Sequence, residues 1–167
     1  MGDGLVGREP ERAWLGKLLE AGAGVGLVSG EPGIGKSALL GWLADQAVQR
    51  GWLLLQAAPA QAERGLPFAG LADLLGPYLS GIRDALPGPL ASALDAALLQ
   101  TDPPAGGRAD LAVRLGMLEA LRALAQHSRC AVVVDDVQWL DAPTSQALGF
   151  ALRRLGGLES GKTLGLL

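Results

Sequence analysis

Apolar positions along the chain follow two periods in turn, and the switches between them outline the elements. From Arg8 to Ala21, Trp14, Leu15, Leu18 and Leu19 recur at helical spacing, with Pro10 in the first turn and Gly22 and Gly24 after the end, so this stretch predicts a helix. Val25 to Ser29 is a short apolar run that leads into Gly30, with the length and composition of a buried parallel strand. Lys36 to Arg50 returns to helical spacing and is closed by Gly51, and Trp52 to Ala57 predicts a second strand. Together these segments make a strand, loop, helix and strand unit.

The middle of the chain, Gly65 to Gln100, is helical in pattern but punctuated by Pro77, Pro87 and Pro89, which predicts short helices broken at each proline. Thr101 to Gly107 has the composition of an exposed loop. Arg108 to Ser128 is the longest clean amphipathic stretch and leads to an apolar strand at Cys130 to Val134. Ala142 to Leu155 predicts a last helix with Pro143 near its start, and Gly156 to Leu167 shows no clear period. No internal repeat is visible.

Composition narrows the classes open to this pattern. The 167 residues suit one domain or part of a larger one, and 49% apolar residues suffice for a core. Aromatic residues make up only 4%, and 14 basic against 17 acidic residues give a net charge of −3, so neither base stacking nor a field attracting a phosphate backbone is expected. Direct nucleic-acid contact by this chain is therefore not expected. A single cysteine, Cys130, forms no internal disulfide and fits a reducing compartment. No leader-like segment and no long uncharged apolar run occurs, so the expected location is the cytoplasm, away from membranes. A mean hydropathy of +0.28 points to a strongly buried core, or to surface that other segments cover.

Two motifs carry candidate chemistry. Gly30-Glu31-Pro32-Gly33-Ile34-Gly35-Lys36-Ser37 matches the P-loop pattern G-x-x-x-x-G-K-[ST], and it stands after a strand and before a helix, the context that pattern needs. Its glycines let backbone N–H groups converge on phosphates at the positive end of the following helix. Lys36 is expected at the β- and γ-phosphates and the Ser37 hydroxyl at Mg²⁺. A second match, Gly156 to Thr163, follows a helix with only four residues after it, and we reject it. The other motif is Cys130 to Asp136, an apolar strand ending in two aspartates. Its form is that of a Walker B segment, with Asp135 expected at Mg²⁺ and Asp136 as general base, although an aspartate capping a turn or helix reads the same way in isolation. Asp141, just before Ala142-Pro143, is expected to cap the next helix. His127 reads as a helix C-terminal residue rather than a base, and Arg153 and Arg154 as solvated cations in a last turn.

Three blocks in order carry a resemblance: Leu5 to Glu9 with the P-loop some twenty residues on, Leu66 to Leu75 with its Leu-Pro-Phe-Ala-Gly-Leu, and Val134 to Asp141 with its Asp-Asp-Val-Gln-Trp-Leu-Asp. Over about residues 4 to 157 the chain resembles the N-terminal ATPase region of large ATP-binding LuxR-family transcriptional regulators, within the STAND branch of AAA-like P-loop NTPases. The resemblance implies a three-layer α/β/α fold with a mostly parallel sheet, a helical insertion at about 65 to 128, and Mg-ATP as ligand. It also implies that Val6, Gly7 and Arg8 lie on the adenine side, that Gly30 to Ser37 with Ala38 hold the phosphates, and that assembly into a homo-oligomer depends on nucleotide. DNA contact would belong to a separate C-terminal domain.

Relatives of that kind continue into an apolar sensor strand between the P-loop and Walker B strands, and then a helical lid. Neither is recognisable in the sequence: Thr163 to Leu167 could supply a few residues of that strand, but a five-residue apolar end is thin evidence for it. The expectation is thus an incomplete sheet with a central gap, residues 158 to 167 as an unrelated or truncated tail, and slow or absent hydrolysis. The alternative is a remnant that binds no nucleotide, or an interaction module.

Overall fold

In the computed structural model, which describes residues 7–22, 24–99, 109–155 and 163–166, the elements run α1 (Glu9–Ala21), β1 (Gly24–Gly26), α2 (Lys36–Gln49), β2 (Leu53–Ala57), α3 (Ala69–Ile82), α4 (Gly88–Ala97), α5 (Ala109–His127), β3 (Cys130–Val134), α6 (Ala142–Leu155) and β4 (Thr163–Leu166). All five residues of β3 are fully buried. A strand whose alternating side chains are buried on both sides must be covered on both faces of its sheet, which is the condition of parallel sheets. The two faces are distinct. Cys130, Val132 and Val134 join Leu55 and Ala57 in the larger core under α3 to α6, whereas Ala131 and Val133 pack with Leu15, Leu19, Leu39, Leu40 and Leu43 of α1 and α2. The outcome is a three-layer α/β/α arrangement, as expected. Each fully buried leucine contributes about 1.5–3 kcal/mol relative to exposure, so the leucine-rich faces of α2, α3 and α5 largely fix how these helices dock.

The four strands lie in the order β1-β4-β3-β2 and all pairs are parallel. The sheet is small, but the expected central gap is corrected: the place between the P-loop strand and β3 is filled by Thr163–Leu166. Gly24 to Gly26 pair with Leu164 to Leu166 on one side, and Cys130 to Val133 pair with Thr163 to Leu166 on the other. A strand of four residues flanked on both sides draws ladder hydrogen bonds from two neighbours, so its partners decide its state more than its own length does. The rejected P-loop copy at Gly156 to Thr163 lies outside the described residues except for Thr163, which opens β4, and the loop at Thr101 to Gly107 lies outside them too.

A second correction concerns Pro77, which does not break α3. The ring sits at an exposed position while Leu71, Leu74, Leu75 and Leu79 bury the opposite side of the helix, so the interior bond lost at Pro77 is on the solvent side, where water replaces it. Pro87 and Pro89 act as expected: α3 is followed by a 3-10 turn at Arg83–Ala85, and α4 begins at Gly88 with Pro89 in its first turn. Between them, Arg83 Nη2 pairs with the buried Asp95 carboxylate at 2.7 Å and raises the already high guanidinium pKa further. No helix among the described residues is long and apolar enough to cross a membrane.

Candidate functional site

Because β1, β4 and β3 are parallel neighbours, their C-terminal ends share one edge of the sheet, where ligands of open α/β sheets bind. Gly26 and Val133 both pair with Leu166, which sets β1 and β3 two strand spacings apart, about 9.5 Å. Past Gly26 the chain enters the loop that ends at Gly35. Two residues past Val133 it reaches Asp135.

The loop owes its shape to backbone. Gly33 and Gly35 have φ of 81° and 91°, and nothing lies within 4 Å of where a Cβ would stand, so conformation rather than space demands glycine there. A Cβ on Gly30 would stand 3.1 Å from Ile34 Cγ2, a tight approach that the exposed Ile34 side chain would have to relieve by a small shift. Lys36 folds back over the loop, its Nζ donating to the carbonyls of Gly30 (3.0 Å) and Glu31 (3.1 Å). Residues Ser29 to Ile34, Ser37 and Ala38 are exposed. Helix α2 starts without a side-chain cap and without an acid in its first turn, so its N-terminal amides and positive dipole end lack an internal anion. Such an end accepts phosphate.

The Arg8 side chain reaches the loop itself. Its Nη2 donates to the Ile34 carbonyl at 2.6 Å, and its Nη1 pairs with Glu11 at 2.7 Å. The guanidinium thereby ties the start of α1 to the loop, and its hydrogen bond holds the Glu11 carboxyl below the usual carboxylate range. Gly7 adopts φ 82° at an exposed position, and Val6 lies outside the described residues.

At the end of β3, the Asp135 N–H donates to the Ala57 carbonyl, which extends the ladder one residue beyond the strand. Among the described residues its half-buried carboxylate accepts just the N–H of Asp136, through Oδ1 at 3.0 Å. Asp136 adopts φ 53°, a left-handed conformation that costs an L-residue about 1–2 kcal/mol but that Asp tolerates better than most. It opens the 3-10 turn Val137–Trp139, and its exposed carboxylate accepts Gln138 Nε2 at 2.8 Å. Among the described residues each carboxylate therefore keeps an oxygen without a donor, as a metal ligand or a base requires. Among the described residues no three His, Cys, Asp or Glu side chains converge as a metal cluster. A Mg²⁺ site built on one hydroxyl, one carboxylate and phosphate oxygens needs no such cluster.

Asp141 caps α6 as expected, its Oδ1 accepting Thr144 N–H at 2.9 Å. It also does what the sequence did not reveal. Oδ1 accepts Phe68 N–H at 2.9 Å and Oδ2 accepts Gly70 N–H at 3.0 Å, while Thr144 Oγ1 accepts Leu71 N–H. One buried carboxylate thus closes the N-termini of two helices 71 to 73 residues apart. Glu11 and Gln138 were also missed. Arg8-x-x-Glu11 at i,i+3 is the only sequence signal that points to the first, and the second has none. His127 is exposed in the last turn of α5, and Arg154 stacks its guanidinium 3.5 Å from the Phe150 ring centre, so none of these is brought to the loop.

Comparison with known proteins agrees with this geometry. No match was found among curated proteins or among solved structures. Residues 4–163 match the family described as AAA ATPase domain. With a parallel sheet, a glycine-shaped loop before α2 and nearly the whole chain inside that match, this chain belongs to the AAA ATPase domain family.

Proposed function

We propose that the chain is the Mg-ATP-binding module of a signalling regulator of the large ATP-binding LuxR type, cytoplasmic, and that it associates with copies of itself according to nucleotide state. The observation that carries the proposal is the uncapped, acid-free start of α2 behind a loop whose Gly33 and Gly35 are already in the left-handed conformation. Gly30 to Ser37 and Ala38 would hold the phosphates, Lys36 exchanging its two loop carbonyls for phosphate oxygens. Ser37 and Asp135 would hold Mg²⁺, which supplies charge neutralisation when bound. Arg8 orients the loop through Ile34, and Gly7 stands on the side where the base would lie. Asp136 is the proposed base, but it is exposed and no described element screens it from bulk water. Electrostatic assistance is weak at high dielectric, so turnover is slow or absent.

Titration of a fluorescent ATP analogue with and without Mg²⁺ tests this. Lys36→Ala should weaken binding by about tenfold or more, the scale of a lost charge-assisted contact, without shifting the melting temperature of the free protein. Unchanged affinity would sink the proposal. A second reading, an interaction module without nucleotide, rests on Val25 and Leu27, 52% and 65% exposed at the β1 end of the sheet. It predicts no thermal shift with ATP, since a ligand that binds only the folded state must stabilise it.

A further inference from the structure

Away from the loop, between the start of α3, the end of α4 and the start of α5, lies an apolar cavity of about 590 Å³. Alanines 69, 72, 93, 96 and 97 line it, short side chains that leave room beside Phe68, Leu98 and Val113. Its volume falls in the range of sites that enclose small organic molecules. At Phe68, Asp110 and Val113 it adjoins a smaller and more polar cavity of about 260 Å³, reached also by Arg114 and Gln146. Arg114 Nη2 donates to Gln146 Oε1, so this second chamber offers the remaining guanidinium donors and the Gln146 amide N–H, with the Asp110 carboxylate as acceptor.

Backbone strain gathers at the same place. Of three non-glycine residues with positive φ among the described residues, Phe68 (65°) and Leu99 (57°) both line the larger cavity. Neither is a residue that adopts this conformation readily, and such strain clusters at ligand sites. At Phe68 it is held in place by the bond from its N–H to Asp141.

We propose that the two chambers together bind a small neutral amphiphile, its apolar body among the α3 and α4 alanines and a head that both donates and accepts hydrogen bonds between Asp110 and Arg114. A charged head gains one of these groups and is opposed by the other, a carboxylate drawn to Arg114 but repelled by Asp110 and an ammonium the reverse, whereas a neutral head that donates and accepts uses both. This site is separate from the glycine loop, and its test needs no nucleotide.

The probe is N-phenyl-1-naphthylamine, a neutral apolar amine whose fluorescence rises on leaving water, displaced by octanamide, octanoate or octylamine in the whole chain. The wild type should bind the dye saturably, and octanamide should displace it at a concentration about threefold or more below that needed for either charged homologue. Ala96→Trp, which fills the larger chamber, should weaken dye binding about tenfold or more, as loss of most of the enclosed apolar contact requires. Ala72→Trp fills it from an exposed position on α3, and it keeps the test valid if Ala96→Trp fails to fold, as checked by circular dichroism melting. Dye affinity unchanged in a folded filling variant overturns the site. Equal displacement by the three competitors overturns the proposed head chemistry.

Discussion

Within seven residues the chain carries Asp135, Asp136 and Asp141, and the three have opposite surroundings. Asp141 is 2% exposed and accepts three backbone N–H groups, so its charge is fully used in holding α3 and α6. Asp135 and Asp136 stand at the open sheet edge with carboxylate oxygens that no donor among the described residues occupies. The same side chain is structural where its valence is filled and chemical where it is not. Hydrogen-bond accounting separates the two uses; the Asp-Asp-x-x-x-x-Asp spacing does not.

The strongest challenge to that contrast is Asp141→Ala. It leaves the buried N–H groups of Gly70 and Thr144 and the part-buried one of Phe68 without an acceptor, and at about 1–3 kcal/mol for a single orphaned buried donor the folded state should lose at least about 2 kcal/mol in urea unfolding. Asp141→Asn should fall between, because its amide nitrogen cannot accept from Gly70. A loss below about 1 kcal/mol for the alanine variant would show that the node is not structural. Gly70→Ala tests the packing beside the same node: a Cβ there would stand 2.3 Å from Leu140 Cδ1, and overpacking of this kind should cost about 1–3 kcal/mol without changing any cap.

Between the two regions, burial in β3 pushes the Cys130 thiol from 9.0 up to about 11. The folded state favours the protonated thiol, so this contribution is intact below pH 9 and is lost as pH rises toward 11. Alkylation of the native protein at pH 8 should be much slower than that of the unfolded chain, whose thiolate is both exposed and more populated. The smallest effects on the fold belong to the open edge. Asp135→Asn and Asp136→Asn should each stay within about 0.5 kcal/mol of wild-type stability, while Asp135→Asn removes the Mg²⁺-dependent part of ATP affinity in the fluorescence titration. A destabilisation as large as that of Asp141→Ala would erase the distinction between the regions.

What the sequence made legible follows the range of the forces involved. The glycine loop was readable because Gly33 and Gly35 answer a local backbone demand, and α1, α2 and α6 because their periods and caps lie within a few residues. The Asp141 cap on α6 was readable for the same reason. Its hold on Phe68 and Gly70 was not, since nothing near either residue announces an acceptor so far along the chain. Pro77 misled because its cost depends on which side of α3 faces solvent. The length of β4 is thin evidence for a strand in the sequence, whereas its state is set by β1 and β3 on either side.

The shared cap also bears on the order in which the chain is made. Phe68 and Gly70 leave the ribosome well before Asp141 and Thr144, so the start of α3 waits unsealed through the synthesis of α4, α5 and β3. Throughout that interval the leucine face of α3 has no settled docking against α6. Contacts of such long sequence separation form late, after the loop between them has been closed against its entropy. A nascent chain caught at that stage would offer chaperones and proteases a helix-forming, apolar segment, and this window closes only when a single carboxylate arrives.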